Sequence, residues 1–320
     1  MINTVYRLVA PRRFEIAFED INLFGENAIV RPTYLSICNA DMRYYLGTRD
    51  AKVLAEKLPM ALIHEGVGEV FLDPTGTFKT GDKVVMVPNA PVEKDEFIAE
   101  NYLRSSKFCG SSMDGFLQEF VEISPKRLVK LPDDIDMTVA AFTEIVSVSV
   151  HAISRFDKIA HARRNTISVW GDGNLGYITS LFLKYHFPKS KIVVFGTSSD
   201  KLADFTFADE THLVNEVPDG FTTDHAFECV GGNGSPIAIE QIIGLIKPEG
   251  TISILGVSEY PVPINTRMIL EKGLRVFGSS RSGVKDFAKT VDMYKKHPEI
   301  IDYLGNLINS VNVVRTTTDI

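Results

Sequence analysis

A glycine-rich turn between an apolar strand and an apolar helix constrains the fold of this chain more than any other feature. Its glycines are Gly171, Gly173 and Gly176, with the strand ISVW before them and the helix YITSLFLKY after them. The first permits a tight turn, the second lets the backbone approach a pyrophosphate, and the third lets the helix pack close to the strand. The helix N-terminus adds free N–H groups for phosphate, so we predict a dinucleotide site that includes Asn174 and Leu175. An incidental glycine-rich turn in a βα unit is the alternative.

The sequence pattern differs between the two sides of residue 148. Short β-branched strands separated by Gly, Pro and Asp fill the first half, whereas apolar strands alternate with helices in the second half. Such alternation indicates βαβ units and a doubly wound parallel sheet. We therefore predict an α/β protein with a β-rich catalytic domain over 1–148 and a Rossmann domain over 149–299. Residues from about 300 to 320 are expected to return to the first domain.

Composition narrows the function classes. The 320 residues suffice for two domains, and a formal charge of −7 argues against a general nucleic-acid binder. The N-terminus MINTVYRLVAPRRFEI lacks a signal-peptide pattern, and no apolar run is long enough to span a bilayer. Three cysteines, an odd and sparse number, fit a reducing cytoplasm better than a disulfide framework. We expect a cytoplasmic protein without membrane or nucleic-acid partners.

The second strand of the Rossmann domain predicts which dinucleotide binds. NAD binders usually place Asp or Glu about 20 residues after the glycine loop, to hold the ribose 2′-OH. Here that position is Gly196, followed by Thr197, Ser198 and, shortly after, Lys201. Hydroxyls and a lysine can bind a 2′-phosphate, and no carboxylate of the strand repels it. We therefore predict NADP(H) rather than NAD(H); the alternative is that Gly196 and Thr197 are merely a turn.

Three separate segments carry candidate metal ligands. Cys38 follows an apolar strand, His64 and Glu65 are adjacent, and Glu144 lies near the domain boundary. Their spacing alone does not identify a zinc site, because none of them forms a C-x-x-C pair. Cys38 as a buried small side chain, His64 as a core histidine and Glu144 as a helix N-terminal carboxylate are the alternatives.

The order of the motifs resembles that of the medium-chain, zinc-dependent alcohol and polyol dehydrogenases, which combine a GroES-like domain with a Rossmann domain. The matching segments run from about residue 25 to the C-terminus and are Cys38-Asn-Ala-Asp41, Ile63-His64-Glu65-Gly66-Val67-Gly68-Glu69-Val70, Gly81-Asp82-Lys83-Val84, Glu144 and Gly171–Gly176. The resemblance implies that Cys38, His64 and Glu144 bind one catalytic zinc, with Glu65 as a second-shell or exchanging carboxylate. It also implies that Asp41 orients His64. Three protein ligands leave one position open, as a catalytic zinc requires.

The sequence departs from the family pattern at several positions. The lobe over 89–113 has only Cys109 where many relatives have four cysteines, so we predict no structural zinc. Ala40 replaces the Ser or Thr that begins a proton relay in many relatives, which leaves water or a substrate hydroxyl as the proton source. Relatives continue with a helix and a strand beyond the final VVRTTTDI, so a truncated sequence and a short natural C-terminus both stay open.

A closer resemblance is carried by the segments SICNADMRYYLGTRD, LPMALIHEGVGEV, VVMVPNAPVEKDEFIAENYL, WGDGNLGYITS, DHAFECVGG and ILGVSEYPVPINTR. Together they make nearly the whole chain similar to one subgroup, the ribulose-5-phosphate reductases of bacterial teichoic-acid and capsule synthesis. That resemblance implies NADPH-dependent reduction of D-ribulose 5-phosphate to D-ribitol 5-phosphate, a homodimer, and a cytidylyltransferase that makes CDP-ribitol for cell-wall biogenesis. Arg43, close to Cys38, is the first candidate for the substrate phosphate; Arg49, Lys107 and Arg281 are alternatives, and Arg43 could instead contact the cofactor or form a salt bridge. Another zinc polyol or alcohol dehydrogenase, and a zinc-free NADPH-binding reductase or sensor, are the alternative functions.

Overall fold

The chain folds into two compact units. The computed structural model describes residues 1–316 and 318–320. The first unit comprises Met1–Ser147 and Arg281–Ile320, and the second comprises Val148–Ser280. No helix in the described ranges combines the length and apolarity that crossing a membrane requires.

The first unit is rich in short antiparallel strands. Its strands are β1 (Ile2–Ala10), β2 (Arg13–Asp20), β3 (Ala28–Ser36), β4 (Met60–Ala61), β5 (Glu65–Leu72), β6 (Lys83–Met86), β7 (Asn89–Ala90), β8 (Lys107–Phe108), β9 (Val121–Ile123) and β10 (Leu128–Lys130). Its helices are α1 (Asn39–Tyr45), α2 (Ala51–Lys57), α3 (Met137–Ala140), the start of α4 (Thr143–Ile159), α9 (Val284–Lys296) and α10 (Glu299–Gly305). The main sheet has the strand order β10-β6-β5-β3-β9, and a smaller one has the order β2-β1-β4.

The second unit is a doubly wound sheet. Its strands are β11 (Thr166–Trp170), β12 (Lys191–Gly196), β13 (Glu210–Leu213), β14 (Thr223–Glu228), β15 (Ile246–Ile254) and β16 (Arg275–Gly278), and its helices are the rest of α4, α5 (Asn174–His186), α6 (Ser199–Leu202), α7 (Ser235–Leu245) and α8 (Thr266–Lys272). All six strands are parallel, in the order β13-β12-β11-β14-β15-β16. This is the strand order of dinucleotide-binding Rossmann sheets. The predicted α/β class, with a β-rich part and a doubly wound part, is confirmed.

Burial explains why the two halves differ in sequence. Every residue of β14 is buried, as are four of the five residues of β11, because helices cover both faces of a parallel sheet. In the first unit β2 is mostly exposed, and β5 is buried along its first four residues. The continuous apolar runs of the second half and the mixed strands of the first half therefore reflect two-sided and one-sided burial.

The return to the first unit comes earlier than the sequence predicts. The predicted Rossmann range of 149–299 includes α9, whereas the observed division falls at Arg281. Phe287 and Val291 of α9 belong to a buried cluster with Val67 and Val85 of the first unit's main sheet. The amphipathic pattern of α9 predicts its apolar face correctly, but that pattern does not specify which sheet the face covers.

Gly176, the third glycine of the loop, packs closely against the backbone of Gly171. A Cβ atom at Gly176 would lie 1.9 Å from the carbonyl oxygen of Gly171, so α5 can begin where it does only without a side chain there. A Cβ at Gly244, in α7, would meet no atom within 4 Å. The two helical glycines therefore differ in packing while sharing the same cost in backbone entropy.

We expect Gly176→Ala to lower the free energy of unfolding by about 3 kcal/mol, because the new methyl group forces α5 away from the turn. Gly244→Ala, the matched control, should raise it by up to about 1 kcal/mol. Urea unfolding followed by the fluorescence of Trp170, the only tryptophan and a fully buried residue of β11, measures both changes. Equal unfolding midpoints for the two variants would contradict this packing argument.

Candidate active site

The backbone around Cys38 is fixed by Asp41. Cys38 is the residue immediately before α1, and the Asp41 Oδ2 atom accepts a hydrogen bond from the Cys38 N–H at 3.1 Å. The other carboxylate oxygen of Asp41 accepts from the Ile63 N–H at 3.0 Å. Asp41 is buried, so these charge-assisted bonds are shielded from water. One carboxylate therefore joins the segment that carries Cys38 to the segment that carries His64.

Ile63 has an unusual backbone conformation. Its φ is +70°, a left-handed value that is a genuine outlier for a β-branched residue. The Phe116 N–H donates to the Ile63 carbonyl at 2.7 Å. A Cβ at Gly115 would lie 2.2 Å from that carbonyl oxygen, so a glycine is required beside it. These contacts hold a bend directly before His64, at a cost on the order of 1–3 kcal/mol.

The bend brings three metal-binding side chains together. Ligand atoms of Cys38, His64 and Glu65 all lie within 4.8 Å of one another. The Cys38 Sγ atom is 3.5 Å from the His64 Nε2 atom. Two ligands of one tetrahedral zinc, at about 2.3 Å for sulfur and about 2.1 Å for nitrogen, lie about 3.6 Å apart. The observed spacing and the mixed S, N and O donors therefore fit a zinc ion.

The predicted contact between Asp41 and His64 is not made directly. The Asp41 Oδ1 atom lies 3.9 Å from the His64 Nδ1 atom, beyond hydrogen-bond range, and that nitrogen is buried without a hydrogen-bond partner. Asp41 acts on the histidine segment through the Ile63 backbone instead. The role of Asp41 in orienting the imidazole ring stays a prediction.

Glu144 lies in the first turn of α4 and is buried. It is outside the close group of three, but its charge interacts with those of His64 and Glu65. Burial raises the pKa of Glu65 well above its usual range, and the charge of Glu144 raises it further. Burial also raises the pKa of Glu144, against the lowering effect of His64 and Arg281. A bound divalent cation would favour the ionised form of both carboxyls.

The pKa of the Cys38 thiol is raised as well. Burial raises its pKa, and the charges of Asp41 and Glu65 raise it further. A thiolate binds zinc, so the metal must displace the thiol proton. Among the described residues, this cluster is the only group of three or more such side chains with metal-ligand spacing. The absence of a structural zinc near Cys109 stays a prediction.

An arginine that the sequence ranks only as an alternative lies beside this cluster. The Arg281 guanidinium stands 4.6 Å from the ring centroid of Phe108, and the Phe108 ring is 5.3 Å from that of His64. Arg281 has a φ of +56°, and its charge lowers the pKa of Glu144. Arg43, the first candidate, lies half-buried in the last turn of α1.

The glycine loop has the geometry that a pyrophosphate needs. Gly171 has a φ of +130°, which only glycine adopts readily. Gly173 precedes α5, its side is open, and no side chain caps the first turn of the helix at Asn174 and Leu175. The helix end therefore presents uncapped N–H groups next to open space, which fits a bound phosphate.

The end of β12 differs from what the sequence suggests. Asp172, between the first two glycines of the loop, places its carboxylate there and accepts hydrogen bonds from the N–H groups of Thr197 and Ser198. The inference of NADP(H) from a missing carboxylate at Gly196 is therefore incomplete, because a carboxylate reaches this point from another segment. Lys201 is exposed in α6, and the Ser198 hydroxyl accepts a hydrogen bond from its N–H.

Sequence reasoning assigned no role to Asp172, Phe108 or Ile63, although Asp172 lies inside the glycine loop and Ile63 begins the segment that carries His64. The available signal for Asp172 was an acidic residue inside the loop together with a glycine at the strand end. Positive φ values at Ile63 and Arg281 left no sequence signal, since neither residue type favours them.

Comparison with known proteins gives matches along most of the chain. Residues 25–133 match the alcohol dehydrogenase GroES-like domain, and residues 188–296 match the zinc-binding dehydrogenase domain. Over 320 residues the chain is 55% identical to ribulose-5-phosphate reductase 1 of Staphylococcus aureus, covering 100% of this chain and 94% of that protein. The ribulose-5-phosphate reductase of Streptococcus pneumoniae is 45% identical, with 100% and 92% covered.

Solved structures agree with the sequence matches. The crystal structure of S. aureus TarJ in complex with NADPH superposes with a TM-score of 0.90 at 50% identity, covering 100% of this chain and 93% of that chain. Galactitol-1-phosphate dehydrogenase from Escherichia coli, at 18% identity and a TM-score of 0.76, shares the fold.

We expect the purified protein to bind about one zinc per chain and Cys38→Ser to retain less than about a tenth of it, since a serine hydroxyl is a poor zinc ligand. Cys109→Ser is the matched control, because Cys109 is buried outside the cluster. Metal analysis after dialysis against a weak chelator measures both. Full zinc in Cys38→Ser, or loss of zinc in folded Cys109→Ser, would refute the ligand assignment, and about two zinc ions per wild-type chain would refute the prediction of a single site.

Proposed function

Because this chain belongs to the zinc-binding alcohol dehydrogenase family, and within it to the ribulose-5-phosphate reductases, we propose that it reduces D-ribulose 5-phosphate to D-ribitol 5-phosphate with NADPH. The carrying observation is 55% identity to such a reductase over the whole chain. The cluster of Cys38, His64 and Glu65 supports the metal-dependent version of this chemistry.

The residues of the metal cluster would bind the zinc ion. Cys38 and His64 would hold a single catalytic zinc together with one carboxylate: the family resemblance implies Glu144 as that ligand and Glu65 as the exchanging one, whereas the close group of three contains Glu65, which favours the reverse. When bound, zinc supplies a Lewis acid for the C2 carbonyl of the ketose and NADPH supplies the hydride. Asp41 keeps the two ligand segments in register through the N–H groups of Cys38 and Ile63.

The proton that completes the reduction needs a source other than residue 40. Ala40 has no hydroxyl, so this position cannot begin a relay of side-chain hydroxyls. We propose that water supplies the proton to the C2 oxygen, either directly or through a hydroxyl of the ketose that takes up a proton from water as it gives one up. The net change is one hydride on carbon and one proton on oxygen.

The dinucleotide would bind through the second unit. The Gly171–Gly176 loop and the first turn of α5 would contact the pyrophosphate, with Thr197, Ser198 and Lys201 near the 2′-phosphate. The NADPH bound to the similar TarJ structure supports this choice of cofactor. Asp172 at the end of β12 is the specific observation that favours the alternative, a polyol dehydrogenase of the same family that uses NAD.

The substrate phosphate needs a cation near the metal cluster. We propose Arg281 for this role, ahead of Arg43, because its guanidinium is fixed over Phe108 and its charge interacts with Glu144. A guanidinium presents several donors in a planar fork that matches phosphate oxygens.

The wider setting of the activity is also proposed. D-ribitol 5-phosphate would be consumed by a cytidylyltransferase that makes CDP-ribitol for teichoic acid or capsule. A homodimer and a cytoplasmic location stay predictions, supported by family resemblance and by three cysteines without disulfides.

We expect NADPH oxidation to be roughly 10- to 100-fold faster, as kcat/KM, with D-ribulose 5-phosphate than with D-ribulose, since a lost charged contact costs about 1.5–3 kcal/mol. Xylulose 5-phosphate and fructose serve as controls for stereochemistry and for an unphosphorylated ketose. Absorbance at 340 nm measures the rates. A preference for an unphosphorylated polyol or ketose would contradict the proposal.

We expect Arg281→Ala to raise KM for D-ribulose 5-phosphate by roughly 10- to 100-fold with a smaller change in kcat, because it removes a charged hydrogen-bond donor. Arg43→Ala, measured in parallel, tests the first sequence candidate. The ratio of the two KM changes decides between them. Unphosphorylated ribulose is the control substrate, since its kcat/KM should change little in either variant, and an unchanged KM in Arg281→Ala would exclude it as the phosphate ligand.

A further inference from the structure

The carboxyl end of β12 gathers three hydrogen-bond donors around one oxygen of Asp172. The Asp172 Oδ2 atom accepts from the Thr197 N–H at 2.6 Å, the Ser198 N–H at 2.8 Å and the Thr197 hydroxyl at 3.1 Å. Three donors on one carboxylate oxygen fix its position and favour its ionised form. A negative charge is therefore built into the turn between β12 and α6.

The carboxylate of Asp172 fits at the end of β12 because residue 196 is a glycine. A Cβ atom at residue 196 would lie 2.7 Å from the Asp172 Cβ and 2.9 Å from its Oδ2. Any side chain on the last residue of β12 would therefore push Asp172 out of the turn. The glycine at 196 and the aspartate at 172 form one arrangement, in which the acid comes from the glycine loop rather than from the strand.

The position has a defined meaning in a sheet with this strand order. The end of the second Rossmann strand faces the ribose of a bound dinucleotide, and an acidic residue there accepts from the 2′-OH. Within the described ranges, the other residues that donate to the Asp172 carboxylate do so at Oδ2, and the residue is only partly buried. Burial raises the pKa of Asp172, but the bonds from Ser198 and Thr197 lower it overall, so the charge persists at neutral pH.

We propose that Asp172 is a nucleotide-selectivity residue, which accepts from a ribose 2′-OH and repels a 2′-phosphate. This inference rests on the proposed dinucleotide site. Lys201 and the Ser198 hydroxyl would act in the opposite direction, so the preference for NADPH is a balance between opposing interactions. The backbone N–H groups of Thr197 and Ser198 are occupied by Asp172 and are not available to a 2′-phosphate.

Asp172→Asn tests the charge while keeping the turn. The asparagine oxygen can still accept from the Thr197 and Ser198 N–H groups, whereas the charge is lost. We expect NADPH to bind roughly tenfold more tightly, NADH to bind equally or more weakly, and the ratio of the two dissociation constants to shift by at least about tenfold. Isothermal titration of the zinc-loaded protein without ketose measures both constants.

The controls separate this idea from a general charge effect and from misfolding. Asp204→Asn removes an exposed carboxylate beyond α6 and should change the ratio by less than about twofold. Asp172→Ser is a second variant without charge, and a Trp170 fluorescence melt shows whether each variant is folded. An unchanged NADPH-to-NADH ratio in folded Asp172→Asn and Asp172→Ser overturns the proposal.

The outcome is distinguishable from failure of the proposed reaction. The expected shift in dissociation constants supports the role of Asp172 even if the protein reduces no ribulose 5-phosphate. A wild-type protein that binds neither dinucleotide overturns both the dinucleotide site and the role of Asp172.

Discussion

The carboxylate of Asp41 accepts hydrogen bonds from backbone N–H groups in both of the segments that carry the metal-binding side chains. One bond comes from Cys38 at the start of α1, and the other comes from Ile63, directly before His64. Because Ile63 adopts a left-handed conformation, the segment would relax to a more extended path without such restraints. The 3.5 Å spacing of the thiol and the imidazole therefore depends on a residue whose carboxylate acts mainly through the backbone and lies 3.9 Å from the nearest imidazole nitrogen.

The fold could largely be predicted because its signals are local. Continuous apolar strands between helices indicate a parallel sheet, and the loop at Gly171 fixes where that sheet begins its βαβ unit. The assignment of α9 was the weaker inference, since an amphipathic helix shows which face is buried but not against what. Phe287 packs with Val67, a contact between residues far apart in sequence, and such pairings have no short-range signature.

The candidate site was predictable in composition but not in geometry. The order of motifs identifies Cys38, His64, Glu65 and Glu144, whereas the spacing of the residues alone left several readings open. The structure adds groups that reach their positions by unusual backbone paths. Arg281 has a positive φ. The carboxylate of Asp172 lies in a turn where a side chain at residue 196 would collide with it. A pattern of residue types does not encode such paths, because each depends on several distant atoms.

Each of the two proposed binding sites for an anionic ligand contains acidic side chains as well as a basic one. The chain carries a formal charge of −7, yet the proposed substrate and cofactor are both anionic. At the metal cluster, burial raises the pKa of Glu65 and of Glu144, which limits their negative charge when no cation is bound, and the charge of Arg281 acts on Glu144. At the end of β12, Asp172 stands where a ribose meets the sheet, with Lys201 nearby on α6. At the end of β12 the charge proposed for Asp172 disfavours the 2′-phosphate that Lys201 would bind, which lowers the preference for NADPH over NADH. At the metal cluster a bound cation would favour the ionised carboxyls and also offset their charge, so the proposed binding of an anionic ketose is coupled to occupation of the metal site.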